Sequence, residues 1–127
     1  MTGVRVTTKF ILVGKDQCWH VQVGLGWYRD DPHAVELWFV RDKRQWFTSR
    51  ELLVEALTSD EAGDGDVRFR RLPDRPDFVG IGLRSPSGHA DFLATREALI
   101  ELIVRSEPLF RPAVDAWRET WLSGVVA

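Results

Sequence analysis

The chain has 127 residues, the size of one domain, and we take residues 1–127 as a single domain. Its composition, 44% hydrophobic and 11% aromatic, can build a real core and excludes an intrinsically disordered chain. The formal net charge of −2 excludes a general attraction to nucleic acid or anionic membranes, so a nucleic-acid role would need a local basic patch.

The cellular setting follows from what the sequence lacks. The single cysteine, Cys18, cannot form an intramolecular disulfide, which excludes a disulfide-stabilised secreted module. The N-terminal residues run straight into strand-like sequence, without the apolar region of a signal peptide. No apolar run approaches the roughly 20 residues that span a bilayer. We therefore expect a cytoplasmic protein that does not insert into membranes.

The first half of the chain predicts four strands. Residues 4–13 alternate between apolar and polar types, which is the period of a half-buried strand. A second strand covers about 18–25. A loop follows, because Pro32 has no N–H to donate to a sheet, and a third strand covers about 34–40. A short fourth strand contains Trp46.

A helix follows the fourth strand. Thr48-Ser49-Arg50-Glu51 has the S/T-x-x-E spacing of a capping box, in which a hydroxyl and a carboxylate satisfy free backbone donors. Leucines and an alanine continue behind it at helical spacing. The polar residues 58–64 then predict a loop.

The second half predicts three more strands, at 66–72, 78–84 and 89–94. One face of the middle strand carries Gly80 and Gly82, and glycine inside a strand is typical of a place that another element approaches closely.

Two helices complete the sequence prediction. Thr95 caps an apolar helix that Pro108 ends, and a third helix begins at Pro112 and ends before Gly124. The predicted fold is α+β, with about seven antiparallel strands in two strand-then-helix halves and a C-terminal helix.

No catalytic or metal pattern stands out. His20, His33 and His89 fall on different predicted elements without metal-ligand spacing, and Cys18 lies in a strand as a half-buried thiol. We expect a protein that is not an enzyme, with no catalytic residue, metal or cofactor. A small hydrolase or metal enzyme that uses Asp31, His33 or His89 is the alternative.

A basic cluster keeps a nucleic-acid alternative open. Arginines gather on and after one predicted strand, at Arg68, Arg70, Arg71 and Arg75. Aspartates interleave with them, so a solvated strand face is the simpler interpretation and we expect no nucleic-acid partner. The alternative is a single-stranded nucleic-acid-binding module, whose affinity would fall steeply with salt.

The aromatic residues point to an interface. Six tryptophans are many for this length, and the third strand is apolar on both faces because Trp38 and Val40 lie opposite its core side. Trp117 and Trp121 form an i, i+4 pair on the last helix. These four residues are the candidate interface.

Four motifs in the same order resemble the SsgA-like proteins of sporulating actinomycetes. They are YRDDPHAV at 28–35, WFTSRELL at 46–53, GDGDV at 63–67 and LRSPSGHA at 83–90. The resemblance covers about 24–105.

That resemblance implies a whirly-like fold, a homotrimer and a role in sporulation-specific cell division at the septum. Family members act by bringing the tubulin-like protein FtsZ to division sites or by influencing other septal steps. The hypothesis is a non-enzymatic septation regulator that acts by protein–protein contacts, with itself, with FtsZ or with another family member.

Overall fold

The computed structural model describes the backbone of residues 2–126 and the side chains of residues 2–63 and 65–123. Four strands and a helix come first: β1 Gly3–Val13, β2 Cys18–Tyr28, β3 Asp31–Phe39, β4 Arg44–Ser49 and α1 Arg50–Thr58. Four strands and a helix then follow again: β5 Glu61–Asp64, β6 Val67–Arg71, β7 Phe78–Ser85, β8 Gly88–Thr95 and α2 Arg96–Val126. The α+β prediction is confirmed.

The eight strands form one antiparallel sheet in the order β4-β3-β2-β1-β8-β7-β6-β5. Each half is a meander, and the halves join where β1 pairs with β8 through Ile11–Leu93 and Leu12–Phe92. The long β1–β2 hairpin stays in register from Gly3 opposite Tyr28 to Val13 opposite Cys18.

The core lies between the inner face of this sheet and the two helices, which both pack on it. Alternate strand residues point inward, as the period of the sequence predicts. At the centre, Phe10, Phe39 and Phe92 pack ring against ring with centroids 5.1–6.1 Å apart. The helix α2 contributes Leu99 and Leu102, both fully buried.

The prediction of seven strands is wrong by one strand. Residues 61–64 form β5, which pairs with β6 across a turn where Gly65 has a φ of 62°. The segment has only one buried apolar residue, Ala62, between the exposed Glu61 and Gly63, which is too few for the sequence to show an alternating pattern. Backbone pairing at the sheet edge forms this strand, and residue type gives no local signal of it.

The prediction of separate second and third helices is also wrong, because α2 continues through Pro108 and Pro112. A proline removes the bond to the carbonyl four residues earlier, so the carbonyls of Val104 and Pro108 lose their partners. Val104, Pro108 and Pro112 are all exposed, so water can donate hydrogen bonds to those two carbonyls in place of the missing backbone N–H groups.

Two element starts differ from the prediction by a few residues. The strand β3 begins at Asp31, so Pro32 is its second residue. A proline is tolerated at that end of a strand. The helix α1 is capped by Ser49, whose hydroxyl accepts from the Leu52 N–H at 2.9 Å. The capping box that begins at Thr48 is therefore wrong, and the buried Thr48 hydroxyl has no hydrogen-bond partner among the described residues.

A buried arginine joins the two helices. Arg50 donates from Nη2 to Glu107 at 2.6 Å and to the Ile103 carbonyl at 3.3 Å, and from Nε to Ser106 at 3.2 Å. Its guanidinium also lies 4.2 Å from the ring centre of Phe110. These contacts fix α1 against the middle of α2, immediately before the prolines.

Candidate interaction surfaces

The outer face of β1–β4 carries a buried carboxylate. Glu36 is 8% exposed and accepts hydrogen bonds from Arg5 and Tyr28, each at 3.4 Å, and from Gln45. These partners come from the other three strands, β1, β2 and β4, since Glu36 lies on β3 between Gly26 of β2 and Phe47 of β4. A charge that has several donors can remain in a site with little water.

Aromatic side chains surround this carboxylate. Trp38 is half-buried and lies with Arg5 over Gly24, where a Cβ atom would come 3.8 Å from Trp38 Cβ. Phe47 is 55% exposed, and Tyr28 covers Gly26. We call Tyr28, Trp38 and Phe47 the outer aromatic patch; Phe47 belongs to it although the sequence analysis did not select it.

Val40 lies just beyond this patch. It follows the last residue of β3, is 39% exposed, and donates its N–H to the Gln22 carbonyl at 3.2 Å. The structure thus places Trp38 and Val40 at one end of β3, as neighbours.

The other candidate pair lies on α2, and its two members differ. Trp117 packs edge-to-face on His33, with ring centroids 5.4 Å apart, and Phe110 packs edge-to-face on the same imidazole at 5.9 Å. Trp121, one turn later, is 60% exposed. Trp117 therefore anchors the helix to β3, and Trp121 is left to solvent.

The structure does not bring the two pairs together. His33, beneath Trp117, is five residues from Trp38, which is roughly 17 Å along a strand. The helix packs on the inner face, and Trp38 lies on the outer face. The pair Trp38 and Val40 and the pair Trp117 and Trp121 therefore belong to two separate surfaces.

The four arginines of the nucleic-acid alternative also divide. Arg68 and Arg70 point outward from β6 and are exposed. Arg71 forms an exposed ion pair with Asp60 at 3.4 Å, and Arg75 lies in the connection to β7. Only Arg68 and Arg70 face the same surface.

That surface is a depression of about 760 Å³ along the outer face of β7. Its floor is Gly80 and Gly82. One wall, on β6, carries Arg68 and Arg70, and the sheet register places Arg68 beside Gly82 and Arg70 beside Gly80. The opposite wall, on β8, carries Asp91 beside Gly82 and Leu93 beside Gly80. We call this depression the glycine trough.

The residues of the hydrolase or metal alternative are scattered. His33 is held between aromatic rings of α2, whereas His89 lies on β8 with its Nε2 3.7 Å from Asp91. Among the described side chains, no three His, Cys, Asp or Glu residues come together as a metal site would require. Cys18 is exposed, so the half-buried thiol predicted for it is wrong; it is the first residue of β2 and ends the ladder opposite Val13.

The two most constrained charged groups, Glu36 and Arg50, were missed from sequence. The partners of Arg50 lie 53 to 57 residues away, and Arg5 lies 31 residues from Glu36. No local pattern in the sequence records such contacts. Neither helix of residues 2–126 combines the length and the apolar character needed to cross a membrane.

The fold is an α+β domain whose sheet carries the outer aromatic patch on one half and the glycine trough on the other. Comparison with known proteins assigns its family. Residues 21–113 match the family described as Streptomyces sporulation and cell division protein, SsgA. This chain belongs to that family, as the sequence motifs predicted.

Curated relatives agree. The chain is 38% identical over 95 residues to the sporulation-specific cell division protein SsgB of Saccharopolyspora erythraea, covering 72% of this chain and 67% of that protein. It is 36% identical over 112 residues to SsgB of Salinispora tropica, covering 83% and 78%.

Solved structures share the fold. The SsgA-like sporulation-specific cell division protein from Thermobifida fusca superposes with a TM-score of 0.78 at 27% identity, over 96% of both chains. A structure from work on SsgB and longitudinal cell division during sporulation of Streptomyces coelicolor gives 0.77 at 31% identity, over 85% of this chain and 86% of that chain.

Proposed function

We propose that this protein regulates sporulation-specific septation through protein–protein contacts, without catalysing a reaction. Its family supplies the process, since both curated relatives are named sporulation-specific cell division proteins. The outer aromatic patch is the observation that supports the mechanism. Exposed and half-buried aromatic side chains around a satisfied, buried carboxylate are typical of binding surfaces rather than of reactive sites.

The proposed partners are a further copy of the chain and a septal protein, either FtsZ or another family member. A homotrimer would present each surface three times, so that weak single contacts add up to useful avidity at the division septum. The whirly-like character of the fold stays a prediction, as does the alternative role in binding single-stranded nucleic acid.

The contribution of the outer aromatic patch to self-association can be tested with Trp38→Arg. Trp38 is half-buried on the sheet surface, so the variant should fold, and the added charge should prevent burial against a second copy. We expect a folded protein of lower mass by light scattering, with Val54→Arg, at an exposed position of α1, as the control at wild-type mass. An unchanged mass for Trp38→Arg would exclude this patch from the oligomer.

The proposed function itself is tested in the bacterium that encodes the chain. Deletion of the gene should reduce or misplace septa in sporulating cells and leave vegetative growth unchanged. The wild-type gene should restore the septa. Normal sporulation septa in the deletion strain would contradict the proposal.

A further inference from the structure

The two glycines on the floor of the trough have no reason to be glycine within the chain. Both have ordinary extended backbone, because the glycines with positive φ are Gly65 and Gly88. A Cβ atom on Gly80 would approach its nearest neighbour, the Arg70 carbonyl oxygen, at 3.5 Å, and on Gly82 the Asp91 Oδ1 at 3.4 Å. Glycine inside a strand is less stable than alanine, because it loses more conformational freedom on folding. An approach from outside the chain explains both residues.

The two strands that flank β7 carry opposite charges in the trough, and Glu61 of β5 lies outside the β6 wall, beside Arg70. Arg68 and Arg70 on β6 have no ion pair with any described carboxylate. Asp91, two strands away and thus roughly 10 Å from Arg68, has only His89 near it, at 3.7 Å. A polyanion would meet Asp91 on one wall, and a polycation would meet the arginines on the other.

We propose that the occupant of the glycine trough is a second copy of this chain, docked face to face about a two-fold axis along β7. This inference rests on the proposed function for the premise that the chain associates with itself, and goes beyond it by assigning a second self-contact, separate from the outer aromatic patch. Such an axis carries the β6 wall of one copy over the β8 wall of the other. Arg68 then lies over Asp91 of the second copy, and the symmetry repeats the pair. A two-fold axis across β7 would instead place arginine over arginine.

The remaining positions fit the same arrangement. The glycines lie on the axis and meet their own copies, which lets the two backbones approach closely. Sheets that stack face to face are about 10 Å apart, a gap that an arginine and an aspartate together can span. Arg70 comes over Leu93, where its apolar stem can pack.

The open end of the trough is also balanced. Arg84 lies on the axis, so its two copies come near each other, but Asp66 lines the same end of the depression. The axis places Asp66 of each copy over His89 of the other, beside Arg84. The two arginines therefore meet two carboxylates. A face of three strands is small beside the roughly 800 Å² per partner of stable complexes, so the pairing should be reversible.

Charge reversal tests this arrangement. Arg68→Asp places an aspartate over Asp91 at both contacts, and Asp91→Arg places an arginine over Arg68 at both contacts, so like charges oppose the pairing of each variant with itself. The two variants together have complementary walls at both contacts. By light scattering at high protein concentration, each variant alone should have a lower mass than the wild type, and the equal mixture should regain the wild-type mass.

Arg71→Asp, an exposed position outside the trough, is the matched control and should keep the wild-type mass. Far-ultraviolet circular dichroism should show all three variants folded, since the altered side chains are exposed. The proposal is overturned if the wild type has the mass of the charge-reversed variants, or if their mixture stays at the low mass. Binding of a single-stranded oligonucleotide that Arg68→Asp abolishes, with no change of mass in any variant, would overturn it in favour of nucleic acid. These measurements use only the purified chain, so their failure leaves the septation test unaffected.

Discussion

The two halves of the sheet treat their outer faces differently. On β1–β4, the chain covers its own glycines: Tyr28 lies over Gly26, and Trp38 with Arg5 lies over Gly24. On β5–β8, Gly80 and Gly82 are uncovered between walls of opposite charge. Both halves are four-strand meanders, but the outer face of the first half is covered by its own side chains and the outer face of the second half is left open.

The charges follow the same division. The carboxylate of Glu36 is satisfied by three side chains of its own half. Arg68 and Arg70 have no such partner among the described side chains. A closed face can present aromatic rings to a septal protein or to a further copy of the chain, whereas an open, charge-separated face suits only a partner with the complementary charge arrangement, such as a second copy. Substitutions on each face and in the link between the helices test this contrast.

The largest effect is expected from Arg50→Ala, which removes the link between the helices that support both faces. Loss of its charged hydrogen bonds and its packing on Phe110 should lower the free energy of unfolding by about 2–3 kcal/mol, because hydrogen bonds to charged groups are among the strongest. Urea unfolding measures this change. Arg71→Ala removes only an exposed ion pair and should cost at most about 0.5 kcal/mol. Equal losses for the two variants would show that Arg50 is not the link.

A smaller, local effect is expected from Glu36→Ala. The substitution leaves the donors of Tyr28 and Gln45 without their acceptor and should cost about 1–2 kcal/mol, with Arg5 largely compensated by water. Glu36→Gln keeps an oxygen acceptor and should cost less. If alanine and glutamine were equally tolerated in urea unfolding, the closed face would not depend on this network.

The smallest effects should have opposite signs at matched glycines. At Gly26 a Cβ would lie 2.8 Å from the Tyr28 hydroxyl oxygen, so Gly26→Ala must displace that ring and should destabilise the chain by about 1 kcal/mol. At Gly80 there is room, so Gly80→Ala should stabilise the separate chain by about 0.5–1 kcal/mol and weaken the pairing through the trough. Thermal unfolding at low protein concentration measures the first quantity, and light scattering measures the second. Destabilisation by both substitutions would remove the contrast between the faces.

Much of the fold could be predicted from sequence because the strands and helices show the local apolar periodicity of their type. The alternation of residues 4–13 marked β1 to within one residue, and the glycines of β7 already indicated a close approach. The strand β5 could not be predicted, since pairing with β6 and the turn at Gly65 form it rather than its own residues. The unbroken α2 was also missed because the effect of a proline depends on whether the freed carbonyl faces water.

The candidate surfaces were only partly predictable. The alternation in β3 placed Trp38 outward, but nothing local showed that Trp117 packs on His33 at the far end of that strand. The arginines at 68 and 70 were noticed as a basic cluster, and the opposing wall on β8 became visible only when the sheet register placed Asp91 across Gly82. Contacts between distant segments carry this information.

The most direct test of the account is co-sedimentation of the purified protein with polymerised FtsZ from the same organism, at physiological salt and with polymer-free controls. We expect the wild type to pellet with the polymer and Trp38→Arg to pellet less. A folded wild-type protein that stays in the supernatant with the polymer present would contradict FtsZ as the septal partner.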